Sequence, residues 1–102
     1  MNLSYLRIND MANLFPSSTG VDKIIWVSTE TPGHKIRLKV GKRGEEASVS
    51  VEDNPEILAG SLDSKTFKQI SSWIKVNKDV LIKYWKGEID TWGLVNQLKK
   101  LN

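Results

Sequence analysis

The chain has 102 residues, 39% of them apolar and 26% charged, with no cysteine and a formal net charge of +3. That length suits one domain and leaves no room for two. Without cysteine there are no disulfides, no thiolate catalysis and no cysteine-based zinc site, which for so small a chain favours a reducing, cytoplasmic setting.

Residues 1–21 read as an N-terminal arm or strand plus a loop. Leu3–Ile8 alternates as a short strand does, and Pro16-Ser17-Ser18-Thr19-Gly20 is loop-like in composition. Met1–Asp10 lacks the apolar stretch of a signal peptide, and no apolar run is long enough to span a bilayer, so no membrane contact is expected.

Residues 22–60 read as β-rich. Lys23–Thr29 is dense in β-branched and aromatic residues, and its four central residues are all apolar, which predicts a strand covered on both faces. Thr31-Pro32-Gly33 marks a turn. In His34–Val40, Ile36, Leu38 and Val40 alternate with Lys35, Arg37 and Lys39, giving one buried face and one basic face. After Gly41–Gly44, Ala47, Val49 and Val51 alternate with Glu46, Ser48, Ser50 and Glu52. The two segments predict an antiparallel hairpin. A four-residue loop sets Lys39 opposite Glu46 and Arg37 opposite Ser48. Asp53-Asn54-Pro55 ends the second strand.

Residues 63–102 read as helical. Asp63 or Ser64 caps a helix whose apolar stripe is Phe67, Ile70, Ile74, Leu81 and Trp85, widened by Trp73, Val80 and Tyr84. Lysines occupy most of the opposite side, which reads as a solvated face. The helix either runs to Lys86 or breaks at Asn77. Gly87 stops it. Asp90 or Thr91 caps a last helix with Trp92, Val95, Leu98 and Leu101 inward. Of the four tryptophans, Trp26, Trp73 and Trp85 read as core. Trp92 either clasps another helix or faces a partner. The expected fold is α+β: an antiparallel sheet of three to four strands packed against one long and one short C-terminal helix.

Phe15–Gly20 (FPSSTG), Ile25–Ser28 (IWVS), His34–Val40 (HKIRLKV), Trp73–Asn77 (WI-x-x-N), Leu81–Ile89 (L-x-x-YW-x-GEI) and Leu98–Leu101 (LKKL) follow one another in that order. In this the chain resembles short bacterial and phage proteins of domain-of-unknown-function family 4160. The resemblance covers nearly the whole chain. It implies a small cytoplasmic protein with strands first and helices last, and a regulatory or inhibitory binding role in a phage–host or toxin–antitoxin setting. The family carries a histidine-rich pattern near its first strands, whereas this chain has His34 alone.

The candidate site is the hairpin: His34, Arg37, Lys39, Lys42 and Arg43. A row of cations can track a phosphate backbone, and arginine can hold a phosphate with two parallel bonds. Against this, Glu46 and Glu52 can pair with those cations across the hairpin, and no aromatic residue is expected on that face for stacking. His34 beside Arg37 has the makings of a general base for RNA cleavage, yet one strand does not supply the second acid–base group. One histidine without cysteine makes no metal site, and Gly41–Gly44 lacks the spacing of a phosphate loop. No cofactor is expected. The expected function is a non-enzymatic binding or regulatory module contacting a protein or a nucleic acid. The alternatives are a ribonuclease-type phosphodiesterase using His34 with Arg37, and a protein inhibitor of a nucleic-acid enzyme.

Overall fold

The computed structural model of the chain describes residues 11–29 and 33–101. The elements run β1 (Met11–Leu14), α1 (Pro16–Thr19), β2 (Ile25–Ser28), β3 (Arg37–Val40), β4 (Ala47–Ser50), β5 (Ile57–Ala59), α2 (Ser64–Trp85) and α3 (Thr91–Gln97). The strands form one antiparallel sheet in sequence order, β1 to β5. The fold is α+β as expected, with five strands among the described residues instead of three or four. The expected strand at Leu3–Ile8 and the residues Thr31 and Pro32 of the expected turn lie outside the described residues.

In β1 to β3 the sheet buries one face by period-two alternation, whereas β4 is buried on both, Ser48 and Ser50 included. Ala12 and Leu14, Ile25 and Val27, Leu38 and Val40, and Val49 point to the core, where Ile70, Trp73 and Ile74 of α2 meet them. Trp73 is fully buried and Trp85 nearly so, as expected. Trp26 is not core. It lies half-buried on the other face, out of phase with Ile25 and Val27.

α2 begins where Asp63 caps it, the carboxylate accepting from Thr66 N at 2.8 Å. It runs unbroken through Asn77 to Trp85, about 33 Å at the usual rise. Gly87, in the left-handed region at φ 75°, stops it. Gly87 N donates to Tyr84 O and Glu88 N to Lys83 O, the paired bonds of a Schellman motif. The chain then turns into α3, where Asp90 accepts from Gly93 N at 2.8 Å. Tyr84 Oη and Thr91 Oγ1 lie 2.8 Å apart and tie α3 to α2. Leu94 is buried, with Leu98 and Leu101 packed against the core, but Trp92 and Val95 are 74% and 48% exposed rather than inward.

Asn77 does not break the helix because its side chain is fully engaged. Its Nδ2 donates to Trp73 O at 3.0 Å and to Lys99 O at 2.9 Å, and its Oδ1 accepts from Lys99 N at 2.7 Å. The C-terminal segment is thereby held against the middle of α2. Two residues on, Leu101 N donates to Thr19 O at 2.8 Å. Pro16–Thr19, expected as loop, is one helical turn closed by Gly20 at φ 82°. A Cβ on Gly20 would fall 2.3 Å from Leu101 O, so only glycine admits the C-terminal segment there. FPSSTG, WI-x-x-N and LKKL thus meet in one clasp.

Candidate functional site

The hairpin sets the geometry of the site. β3 and β4 pair with Arg37 opposite Ser50, Lys39 opposite Ser48 and Val40 opposite Ala47. The expected register, Lys39 against Glu46 and Arg37 against Ser48, is two residues off because the loop 41–46 has six residues, not four. A slip of two keeps every side chain on its face, so the hydrophobic alternation does not register it.

That slip decides the electrostatics. Lys39 faces Ser48 instead of the expected Glu46, and Arg37 faces Ser50 instead of Ser48. Glu52 pairs with Lys35 at 3.0 Å. It also accepts a hydrogen bond from Ser50 Oγ, and that bond followed by the Lys35 pairing holds its carboxyl below the ordinary 4.5. None of the ion pairs among the described residues uses Arg37, Lys39, Lys42 or Arg43. Glu46, the expected partner, is half-buried.

Trp26 completes the face. It pairs directly with Lys39 on one side and with Asn13 on the other. Its Nε1 donates to Gly41 O at 2.8 Å. An indole that reaches a carbonyl at the end of the neighbouring strand leans toward that strand, and the side chain keeps part of its surface exposed. The ring therefore lies beside Lys39 and toward the loop that carries Lys42 and Arg43, both exposed. Sequence reasoning missed Trp26 as a site residue because Ile24–Val27 is uniformly apolar. The signal that finds it is parity: if Ile25 and Val27 point inward, Trp26 points out.

The five expected site residues do not form one cluster. Arg37 and Lys39 share the outer face, with Arg37 half-buried and its Nε donating to Lys35 O at 3.2 Å. Lys42 and Arg43 sit past one end of β3. His34 is exposed before the other end, and no hydrogen bond among the described residues joins it to Arg37. No group of three or more histidines and carboxylates that could hold a metal occurs among the described residues.

Grooves among the described residues lie elsewhere, two of them beside the hairpin loop and the clasp. One, of about 240 Å³, runs between the hairpin loop and the start of α2, where Lys23 and Lys42 are met by Glu45 and by the capping Asp63. The other, of about 480 Å³, lies along α2 beside the clasp. Its lysines include Lys78, which pairs with Asp53. No aromatic residue lines either groove. A third groove, of about 450 Å³, sets Phe67 beside Lys68 and Lys75 on α2; on the sheet face the ring of Trp26 stands on a strand paired directly with the one that carries Lys39 and Arg37.

Sheet, helix layer and clasp define a small α+β protein, and no described helix is long and apolar enough to cross a membrane. The family model described as "Domain of unknown function (DUF4160)" matches residues 24–86, and the chain belongs to that family. The matched stretch takes in β2 to β5 and α2, with Trp26, Arg37 and Lys39 inside it and the clasp partners Thr19, Lys99 and Leu101 outside. No curated protein and no solved structure matches the chain.

Proposed function

We propose that this protein is a non-enzymatic binding module that contacts an anionic macromolecule through the outer face of its sheet. The hairpin register supports this most directly: it sets Arg37 and Lys39 opposite serines, so their charge is not spent on a neighbouring acid. Cations held on one strand face, Lys39 exposed and Arg37 half-buried, attract phosphate or sulfate chains and lose that attraction as salt rises.

The test compares equal changes of charge at two places. Heparin, single-stranded RNA and duplex DNA are titrated against wild type, Arg37→Glu/Lys39→Glu and Lys75→Glu/Lys83→Glu, the last on the polar side of α2. The hairpin pair is expected to lose roughly tenfold or more in affinity and the α2 pair far less. Equal losses would reduce the attraction to net charge and remove the site. The same RNA, inspected for cleavage and compared with His34→Ala, tests the phosphodiesterase alternative.

A protein partner is the second reading, and the exposure of Trp92 and Val95 on α3 favours it. Large apolar side chains one turn apart on a short helix suit the centre of an interface. In that case Trp92→Ser abolishes a defined complex while Arg37→Glu/Lys39→Glu leaves it intact.

A further inference from the structure

We infer that the outer face takes single-stranded nucleic acid, with one base stacked on Trp26 and the neighbouring phosphates held by Lys39, Arg37 and Arg43 of the loop. This rests on the sheet face being the binding surface and goes on to name what lies there. Charge alone does not choose among a duplex, a sulfated polysaccharide and an acidic protein. The ring does, since a base with a free face is offered only by an unpaired strand.

The spacing fits one short path. Arg37 and Lys39 project from the same face two residues apart, about 6.6–6.8 Å along the strand. Trp26, directly across from Lys39, brings its side chain within about 4.5–5.5 Å of the lysine's at the Cβ level. Its Nε1 bond to Gly41 O tips the ring along β3 toward the loop that carries Arg43. A strand running parallel to β3 meets Arg37, then Lys39 beside the ring, then the loop with Arg43, while Lys42 lines the mixed-charge groove by α2. Asn13, exposed and paired with Trp26 from β1, sets a carboxamide on the far side of the ring, where it can donate to and accept from a base edge. The indole N–H is already committed to Gly41 O, so the ring contributes a face rather than a hydrogen bond. The mixed-charge groove at the start of α2 has Glu45 and Asp63 to turn phosphates away.

RNA and DNA share this chemistry, and the experiment separates them. The full chain is titrated by fluorescence anisotropy with labelled single strands about ten nucleotides long, as RNA and as DNA of the same sequence. The matching duplex and an abasic strand of equal phosphate count complete the set. The single strands are expected to bind about tenfold tighter than the duplex and the abasic strand. The tighter of RNA and DNA names the source. Trp26→Leu is expected to erase that margin and Trp26→Phe to keep most of it, with thermal melts confirming that both fold. The abasic comparison uses wild-type protein and does not depend on either variant folding. Equal affinity for abasic and normal strands overturns the stacking inference. If Arg37→Glu/Lys39→Glu still weakens binding in that case, the outer face stands as the binding surface for a different polyanion. No binding to any strand or to heparin overturns both.

Discussion

The Asn77 carboxamide serves two segments at once, the turn of α2 above it and the backbone of Lys99. Asn77→Ala leaves both polar groups of Lys99 without that partner beside a buried site and is expected to cost about 2–3 kcal/mol in urea unfolding. Gly20 is the second such point. Gly20→Ala forces a Cβ into Leu101 O at a positive φ, whereas Gly33, also at positive φ, has open space around it. Gly20→Ala should therefore destabilise well beyond the roughly 1 kcal/mol expected for Gly33→Ala. Trp85→Ala, from a nearly buried site, should cost about 3–5 kcal/mol. Lys39→Glu, on an exposed side chain, should stay within about 0.5 kcal/mol. At this scale the sequence marks Asn77 as a special position but not its use, because its partner Lys99 is distant in the chain. Trp26 escapes a sequence reading for a related reason: a uniformly apolar run conceals which of its residues faces out.

Among elements, α2 is the most legible. Its apolar stripe persists for six turns and both ends carry strong stop signals, Asp63 and Gly87. The hairpin is legible in parity and not in register, since two-residue slips conserve the buried face. β1, α1 and β5 are three or four residues each, too short to show a period. Acid pH probes how the elements are joined. Asp63 is held below its ordinary 3.8 by the Thr66 hydroxyl and backbone N–H at the start of α2. Asp53 is held below 3.8 by Lys78 of α2, and Glu52 below 4.5 by Ser50 and then Lys35. A depressed folded-state pKa stabilises above the unfolded value and is lost as pH falls through the folded one. Thermal stability should thus hold down to about pH 5 and decline from there toward about pH 3. Asp63→Asn keeps a capping oxygen without a titrating carboxyl, so its decline should be shallower than that of wild type.

For the whole molecule, the layering of strands first and helices last is readable because each half carries its own period. The site is readable only in part. The alternation in His34–Val40 discloses the basic face, but whether its charge is neutralised depends on a loop length, and whether it carries a ring depends on the phase of the strand beside it. Both features favour a binding surface: Arg37 and Lys39 oppose serines, and Trp26 lies next to them. The clasp holds the C-terminal segment on α1 and α2, away from Arg37, Lys39 and Trp26. The most direct measurement is the affinity for single-stranded RNA at low and moderate salt, for wild type and Arg37→Glu/Lys39→Glu. Wild type is expected to bind saturably and more weakly as salt rises, with the logarithmic salt slope about 0.7 shallower for each phosphate that the variant no longer neutralises. Identical affinities and identical slopes for the two proteins would contradict it.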